Sequence, residues 1–505
     1  MRAWEKLHFG NYLDDFKPDG PTVALLVFIT GAVLWASWLM VRSSKRPAIF
    51  GQIVFLALLL LPANALRLYY QQSFRPAYGS RFDLVAILIL AVLCAPIGFA
   101  VVTRRLRLQF LVHYGIFLVL ALAPFTLFTV GRVLLDSYRE SYRVKGATTL
   151  PQSTPVAGSI PTQTSPAGNE SQPKPERQRV VWIIFDELDE HTAFIDRPAS
   201  VSMPELDRFR RESFAAAAAY PPGNGTILSI PALLNGRTVA SVEPRDQTLA
   251  ITQEGDPGPV LWNAGMTVFA EASTAGIKSG LVGVFHPYCR ILGSAIITCR
   301  DFRVRESLPK RVGRVLTIAI DAVPFAFRLF LRDRIYQREI ERYQFVLHNG
   351  SDVIADPKLD LVYLHFSLPH PPGIYDRATG RLELTKKRSY LDNLALTDVA
   401  FGTLRRAMEQ AGVWESSVVI VSADHWWRTE EVWKQGPDWR MEEQQAVAGH
   451  APDHRVPFII KLPGNADPIV YEKPLNTVIS RRMVMAFLKG QLSTSKDLTT
   501  WLERQ

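Results

Sequence analysis

The sequence predicts an α/β domain with a doubly wound, mainly parallel sheet, preceded by an N-terminal bundle of four transmembrane helices. Four long stretches near the N-terminus carry no formal charge, and they predict the helices. Further along, continuous apolar runs alternate with helical patterns between residues 179 and 490. Such alternation is typical of a parallel sheet that helices cover on both faces. At 505 residues the chain is long enough for at least two such units.

The uncharged stretches are residues 21–41, 47–66, 84–103 and 108–131. Each is about as long as the ~20 residues that a helix needs to cross ~30 Å of hydrocarbon. One such stretch could be a core helix, but four in succession predict a membrane domain that spans residues 1–145. A transporter is disfavoured, because His113 is the one ionisable residue in these stretches and coupling charges would be expected.

Basic residues cluster in two of the loops between the stretches, at 42–46 and 104–107. Such clusters favour a cytoplasmic position, which would place the C-terminal domain outside the cytoplasm. The N-terminus and the loop at 67–83 also carry basic residues, so charge alone leaves the topology open.

The remaining organisation follows composition and periodicity. Residues 146–178 are rich in Pro, Ser, Thr and Gln, which predicts a flexible linker. The α/β domain is expected at 179–490, with a polar tail at 491–505. Strands are predicted from residue 179 and at 278–285, 359–365, 417–421 and 457–462, and helices at 203–214, 391–410 and 476–489.

The net charge of +9 reflects basic residues that flank the apolar stretches and a basic segment at 300–342. No nucleic-acid-binding motif accompanies this charge, so no nucleic-acid partner is expected. Of the three cysteines, Cys94 lies within the third stretch and is interpreted as an apolar filler. Cys289 and Cys299 could close a small disulfide loop, and the sequence leaves this open.

Polar residues with catalytic chemistry follow two of the predicted strands. Asp186 and Glu187 end the first strand, and Asp424 and His425 follow a later one. Ligands of doubly wound sheets bind at the carboxyl ends of the strands, so these side chains are expected in one site. A helix cap is the alternative for the first pair. Thr226 opens a predicted helix, where an ordinary N-cap is the alternative to a nucleophile.

These three pieces, in this order, resemble the sulfatase-like branch of the alkaline phosphatase superfamily over roughly residues 178–490. In sulfatases the nucleophile lies ten residues before the Gly of a Leu-Leu-Thr-Gly turn. Here Leu-Leu-Asn-Gly ends at Gly236, and Thr226 falls on the nucleophile. The run Thr-Ile-Leu-Ser-Ile-Pro is also similar to the Thr-x-x-Ser-x-Pro of phosphoethanolamine and phosphoglycerol transferases.

The resemblance implies a reaction at phosphorus. Sulfatases convert a Cys or Ser into formylglycine and use an Arg four residues later. Thr226 cannot form that aldehyde, and Ile230 stands at the Arg position. A metal or a base must activate the hydroxyl of Thr226, which is almost never ionised at neutral pH. Two alternatives remain: a sulfate ester hydrolase without formylglycine, and a degenerate binding protein, because Trp426 replaces the usual Gly after Asp-His.

The resemblance further implies a divalent metal, with Zn²⁺ or Mn²⁺ expected and Ca²⁺ allowed. The expected ligands are Asp186, Glu187, Thr226, Asp424 and His425. Glu187 aligns with a ligand both in sulfatases and in the transferases, so it is expected to be the safer ligand of the two acids.

Histidines near two strands are the remaining site candidates. His370 and His454 are expected to be catalytic, and with His365 they are candidates for binding substrate or a second metal. His286 and His450 are weaker candidates.

The sequence therefore predicts a membrane-anchored, metal-dependent hydrolase or transferase with a phospho-threonine intermediate. The expected partners are the lipid bilayer and a lipid- or glycan-linked phosphoester, and no nucleic acid. Membrane-tethered relatives work on the outer face of the bacterial inner membrane. A multi-pass inner-membrane protein is therefore expected, with its catalytic domain facing the periplasm or cell exterior. Whether hydrolysis or transfer completes the reaction stays open.

Overall fold

The structure is a computed structural model, and it describes residues 177–245, 248–302, 332–384, 388–434, 439–449, 453–464 and 468–505. The four predicted transmembrane helices and nearly all of the predicted linker lie outside the described residues. Within the described ranges, no helix combines the length and the apolar character needed to cross a membrane.

Short strands make up the sheets of the domain. In chain order they are β1 (Arg179–Asp186), β2 (Phe214–Ala216), β3 (Ala219–Tyr220), β4 (Val239–Arg245), β5 (Thr248–Gln253), β6 (Val260–Leu261), β7 (Ser279–Gly283), β8 (Thr298–Asp301), β9 (Leu361–Pro369), β10 (Tyr375–Asp376), β11 (Arg381–Leu382), β12 (Ser417–Ala423), β13 (Phe458–Lys461), β14 (Val470–Tyr471) and β15 (Leu475–Asn476).

Helices connect and cover these strands. They are α1 (Pro204–Arg211), α2 (Thr226–Asn235), α3 (Val268–Thr274), α4 (Tyr288–Leu292), α5 (Arg332–Ala355), α6 (Tyr390–Gln410), α7 (Met441–Ala446), α8 (Ser480–Leu488) and α9 (Ser495–Leu502). Two single π-helical turns, His191–Ile195 and Thr429–Trp433, follow the ends of β1 and β12. Short 3₁₀ turns lie at Ala264–Met266, Gly293–Ala295 and Thr477–Ile479.

Eight strands form the central sheet, in the order β14-β2-β13-β12-β1-β9-β7-β8. Neighbouring strands are parallel except for β13, which runs antiparallel to both β12 and β2. The prediction of an α/β fold with a mainly parallel sheet is therefore confirmed. The strands β1 and β12 lie side by side at the centre of the sheet, so their carboxyl ends share one edge.

Both faces of the sheet are covered, as alternation along β1 shows. Val181, Ile183 and Phe185 belong to one buried cluster, to which α1, α5 and α6 contribute. The intervening residues Trp182 and Ile184 belong to the other cluster, with α2, α3, α8 and α9. A strand that is buried on both faces has a continuous run of apolar residues in its sequence. This explains why the sequence predicted β1 clearly.

Some element boundaries differ from the predictions. The helix predicted at 203–214 ends at Arg211, because Phe214 already pairs in the sheet through β2. The helix predicted at 476–489 begins only at Ser480, after a 3₁₀ turn. The polar tail predicted at 491–505 contains the helix α9, which starts at a capping box and buries Leu498 and Leu502 in the second cluster. The domain therefore extends beyond residue 490.

Cys289 and Cys299 form a disulfide, with their Cα atoms 5.5 Å apart. The bridge joins α4 to β8 at the edge of the sheet. The pairing that the sequence left open is thus present in the structure.

Candidate metal and nucleophile site

Parallel pairing of β1 with β12 brings their terminal residues together. Phe185 lies opposite Ala423 in the register, so Asp186 and Asp424 leave the sheet side by side. His425 follows directly. Asp186, Asp424 and His425 are all buried, and each offers one ligand atom within 4.8 Å of the others. The sheet edge therefore holds a three-residue cluster with metal-ligand chemistry, as the sequence predicted for these three residues.

The His425 ring is held by both of its nitrogens. Nδ1 donates to the backbone carbonyl of Trp426 at 3.0 Å. Nε2 lies 3.1 Å from Oδ1 of Asp186 and 3.6 Å from Oδ2 of Asp424. A histidine that ligates a metal through one nitrogen usually donates from the other to a carbonyl or carboxylate. The contact with Trp426 thus presents Nε2 to the cluster as a ligand atom.

Burial and charge together set the protonation of the cluster. Burial, with Asp186 nearby, raises the pKa of Asp424 to about 6. Burial also opposes ionisation of Asp186, but His370 and His425 outweigh it and lower its pKa. For His425, burial is outweighed by Asp424 and Asp186, which raise its pKa to about 9. The cluster therefore combines a readily ionised Asp186, a second acid whose ionisation burial and Asp186 oppose, and an imidazole that the two acids hold protonated.

The donor set fits a divalent cation. Among the described residues, the buried Oδ2 of Asp424 has no hydrogen-bond partner. Asp186, Glu187 and Asp424 contribute three formal negative charges, and Arg428, paired with Glu187, contributes one positive charge. Since 3 − 1 = 2, one divalent ion would neutralise the remainder if His425 is neutral. Two carboxylates, one imidazole and a hydroxyl suit Zn²⁺ or Mn²⁺.

Thr226 is the first residue of α2, as predicted. The chain reaches it through Gly225, whose backbone is extended and whose carbonyl accepts from the N–H groups of Leu228 and Ser229. The Thr226 side chain makes no N-cap hydrogen bond, because Gly225 occupies the cap position. Its Oγ1 instead lies 3.3 Å from Nε2 of His425. The hydroxyl therefore faces the cluster, and the N-cap alternative is wrong.

Glu187 corrects the predicted ligand set. Its carboxylate does not join the cluster: Oε1 accepts from Nε of Arg428 at 2.7 Å, and Oε2 accepts from Nε1 of Trp433 at 2.7 Å. Glu187 follows the end of β1 with a left-handed backbone, and its contacts with Arg428 and Trp433 occupy both carboxylate oxygens. Asp186, which the sequence ranked below Glu187, is the acid that reaches the cluster.

The backbone of Glu187 is as constrained as its side chain. Its φ of 69° lies in the left-handed region, which costs a non-glycine residue on the order of 1 kcal/mol or more. Its carbonyl accepts from the Tyr390 hydroxyl at 2.9 Å, and its N–H points to Oδ1 of Asp424 at 3.4 Å. Tyr390 in turn stacks on Trp427 with ring centroids 4.0 Å apart. The surrounding contacts therefore hold Glu187 in a conformation that it would not adopt alone.

Arg428 is the functional candidate that sequence reasoning missed. It directly precedes the π-helical turn Thr429–Trp433. Burial opposes its charge, but Glu187 and Asp186 outweigh burial and raise the pKa of the guanidinium further. The signal was present in the sequence, because an Arg follows Asp-His-Trp-Trp in a chain that lacks the sulfatase Arg at position 230. Ile230 itself is fully buried in the core.

The predicted histidines occupy different positions. His370 is half-buried, its backbone N–H donates to the backbone carbonyl of Asp186 at 3.2 Å, and it contributes to the lowered pKa of the Asp186 carboxyl. His365 is buried within β9, where its Nδ1 meets the Tyr288 hydroxyl at 2.7 Å, and burial lowers its pKa to about 4. His454 is exposed and stacks on Trp426 with centroids 4.1 Å apart. The structure thus places His370 beside the cluster and His454 on a neighbouring surface.

Of the two weaker histidine candidates, the structure describes only His286. His286 is buried, its Nε2 lies 3.4 Å from the carbonyl of Thr226, and burial lowers its pKa to about 3. This neutral ring therefore contacts the first residue of α2 through the Thr226 backbone carbonyl. His450 lies outside the described residues.

Comparison with known proteins identifies a sulfatase region. A sulfatase family model matches residues 336–486, a range that includes Asp424, His425 and Arg428. No curated protein matches the chain.

Solved structures that are similar include a phosphonate monoester hydrolase of Silicibacter pomeroyi, with 13% identity over 64% of this chain and 77% of that one, and a TM-score of 0.41. Another is an alkaline phosphatase superfamily protein from Vibrio parahaemolyticus. Its identity is 12% over 62% of this chain and 67% of that one, and the TM-score is 0.38. A sulfatase from Pseudoalteromonas sp. shows 11% identity over 62% of this chain and 68% of that one, with a TM-score of 0.40.

Proposed function

We propose that the chain is a membrane-anchored, metal-dependent enzyme of the sulfatase-like type that acts on phosphate esters through Thr226. One observation carries the proposal: the Thr226 hydroxyl lies 3.3 Å from His425 Nε2, directly beside the buried Asp186 and Asp424. A helix N-terminus, a hydroxyl and a cation-binding cluster meet at this point. This combination suits attack on an anionic ester, whose oxygens the helix N-terminus would also bind.

Two displacements at phosphorus make up the reaction. Oγ1 of Thr226 forms a bond to phosphorus, and the bond from phosphorus to the leaving oxygen breaks. The hydroxyl proton passes to a carboxylate of the cluster, and the leaving oxygen takes a proton from solvent. A water or an acceptor hydroxyl then attacks phosphorus and passes its proton to solvent. The bond from phosphorus to Oγ1 of Thr226 breaks, and the carboxylate returns its proton to Oγ1. Water gives hydrolysis, and an acceptor sugar or lipid gives transfer.

A divalent cation would be held by Asp186, Asp424 and His425, together with the Thr226 hydroxyl. When bound, it supplies Lewis-acid chemistry that lowers the pKa of a hydroxyl and neutralises developing negative charge. The protein contributes the buried setting, in which such charge interactions are stronger than in water.

The substrate is proposed to be lipid- or glycan-linked. Four predicted transmembrane helices and the predicted linker would keep the domain near the bilayer, which raises the effective concentration of membrane-bound esters. The disulfide between Cys289 and Cys299 fits an oxidising compartment. The proposed location is therefore the bacterial inner membrane, with the catalytic domain facing the periplasm or the cell exterior.

A binding protein without catalysis is the second candidate, and the pairing of Glu187 with Arg428 favours it. Apart from the Thr226 hydroxyl, that pairing leaves three ligands for a cation: Asp186, Asp424 and His425. The sequence predicted Glu187 as a fourth. In this candidate the site would recognise an anionic group but would not cleave it. The two candidates differ in whether the Thr226 hydroxyl has a chemical role.

Replacing the nucleophile tests the proposal. The full chain in detergent and its Thr226→Ala variant would be assayed with chromogenic phosphodiester, phosphomonoester and sulfate esters, with Zn²⁺, Mn²⁺, Ca²⁺ or a chelator. Thr267→Ala is the matched control, because Thr267 is a buried threonine that precedes α3. Metal-dependent turnover that only Thr226→Ala abolishes supports the enzyme. Equal turnover in all three proteins contradicts the nucleophile.

A further inference from the structure

Arg428 borders the start of α2. A Cβ built on Gly225 would lie 3.5 Å from Nη1 of Arg428, and Gly225 directly precedes Thr226. This short distance places Nη1 close to the N-cap residue of α2. The Arg428 side chain is 21% exposed, whereas those of Asp424 and His425 are fully buried. Arg428 therefore combines positive charge, closeness to the nucleophile and access from solvent.

Most of its hydrogen-bonding capacity remains available. A guanidinium carries five N–H donors in a planar fork. Across the part of the chain that the structure describes, Arg428 donates from Nε to Glu187, and no hydrogen bond is formed by Nη1 or Nη2. The two Nη atoms thus retain four N–H groups. Paired donors of this kind match two oxygens of a tetrahedral oxyanion.

Glu187 fixes the orientation of the Arg428 guanidinium through its Nε. Glu187 accepts from Nε at 2.7 Å with one oxygen and from Trp433 Nε1 at 2.7 Å with the other. Its backbone is held by Tyr390. A carboxylate with both oxygens occupied and no exposed surface cannot move toward solvent. The side chain of Arg428 is therefore positioned before any ligand arrives, which lowers the entropy cost of binding.

We propose that Arg428 is a substrate-binding residue that holds non-bridging oxygens of a tetrahedral oxyanion, the phosphoryl group of the ester, next to Thr226. The inference rests on the proposed function and specifies how the same site recognises its substrate. The helix position that carries an Arg in sulfatases holds Ile230, which is buried in the core. Arg428 supplies the missing cation from the loop after β12. Glu187 is its positioning residue.

Anion binding can be measured without turnover. The metal-loaded full chain in detergent would be titrated with inorganic phosphate, and separately with sulfate, by calorimetry, with metal content measured on each sample. Arg428→Met removes the guanidinium, and Arg428→Lys keeps a charge without the fork. Arg197→Met is the matched control, since Arg197 is also 21% exposed and is paired with Asp207. Loss of a charged hydrogen-bond donor predicts phosphate binding about tenfold to hundredfold weaker in Arg428→Met.

The expected result is weak phosphate binding in Arg428→Met, intermediate binding in Arg428→Lys, and binding like that of the wild type in Arg197→Met. Metal content should be equal in all of them. If Arg428→Met does not fold, at least threefold weaker binding by folded Arg428→Lys supports the proposal. Wild-type affinity in a folded, metal-loaded Arg428 variant overturns it, and so does a wild type that binds neither anion.

The same titration separates this inference from the proposed function. Thr226→Ala should bind phosphate but turn over no ester. If the wild type binds phosphate through Arg428 yet shows no turnover, the anion site stands and the enzyme proposal fails. A preference for phosphate over sulfate supports the assignment to a phosphoryl group, and a preference for sulfate overturns that assignment.

Discussion

Oε1 of Glu187 accepts a hydrogen bond from Nε of Arg428 at 2.7 Å, at the carboxyl edge of the central sheet. This pair changes the role of an acid that the resemblance to known enzymes implies is a metal ligand. The Glu187 carboxylate pairs with Arg428 and Trp433, outside the cluster of Asp186, Asp424 and His425. The proposed site therefore combines a smaller ligand set with a guanidinium that we propose binds substrate.

Glu187→Gln separates the two roles of this residue. Gln retains an oxygen that can accept from Arg428 or Trp433 but loses the charge that orients the guanidinium. We expect metal content to stay at the wild-type level, while KM for a phosphate ester rises about tenfold and kcat changes less. Metal analysis and steady-state kinetics on the same preparation measure both. Loss of the metal in Glu187→Gln would restore Glu187 as a ligand.

Asp424→Asn tests the ligand set directly. The substitution replaces one of two charged cluster ligands by a neutral amide, whose oxygen is a weaker ligand, and keeps the side-chain shape. Loss of an outer hydrogen-bond partner already weakens metal binding by about 10–100-fold, so loss of a ligand's charge should weaken it by about 100-fold or more. Competition with a fluorescent chelator measures the affinity. Thr192→Ala, a buried change outside the cluster, is the control. Unchanged affinity in Asp424→Asn would show that the cation binds elsewhere.

The raised pKa of Asp398 predicts that the free energy of unfolding depends on pH. This buried residue of α6 accepts from the N–H of Leu206 in α1 at 2.7 Å, and burial raises its pKa to about 6. Between its ordinary pKa of 3.8 and about 6, the folded chain binds more protons than the unfolded chain, so stability falls as pH rises through this range. A shift of about two units corresponds to at most about 3 kcal/mol.

The comparison with Asp398→Asn isolates this contribution. Asn keeps an acceptor for Leu206 and cannot ionise. Thermal unfolding of both full-length proteins would be followed by tryptophan fluorescence from pH 4.5 to 7.5. The wild type should gain stability relative to Asp398→Asn as the pH is lowered. A difference in melting temperature that does not vary with pH would refute the assignment.

The disulfide should stabilise the edge of the sheet. Cys289 and Cys299 are ten residues apart, and closing a loop of that size contributes about 3 kcal/mol in the chain-entropy treatment. The double variant Cys289→Ser/Cys299→Ser should therefore melt at a lower temperature. A reducing agent should lower the melting temperature of the wild type to the same level and leave the variant unchanged. If the reducing agent affects both proteins equally, the bridge is not the cause.

The sequence was sufficient to predict the sheet, the start of α2 and three members of the cluster. The apolar run that ends at Asp186 and the one before Asp424 are each buried on both faces, so periodicity and polarity indicate strand ends without ambiguity. The position of Thr226 at the start of a helix was equally predictable, because a Pro-Pro-Gly-Asn-Gly turn precedes a helical pattern.

The role of Glu187 could not be predicted, because it depends on a tertiary contact and on backbone conformation. Two consecutive acids at a strand end look equivalent in sequence. Only the left-handed φ of Glu187 and the return of the chain through Arg428 and Trp433 decide which acid faces the cluster. The packing of α9 was missed because its apolar residues Leu498, Trp501 and Leu502 cover only a little more than one helical turn within a polar segment.

Trapping the covalent intermediate tests whether Thr226 is the nucleophile. The metal-loaded full chain would be mixed with a chromogenic phosphodiester, quenched in acid within the first turnovers, digested and analysed by mass spectrometry. We expect an adduct on Thr226 that carries the phosphorus with its remaining ester group, in the peptide that begins α2, and none in the Thr226→Ala protein or with chelator. Turnover by the wild type without any adduct on Thr226, or an adduct on another residue, would contradict it.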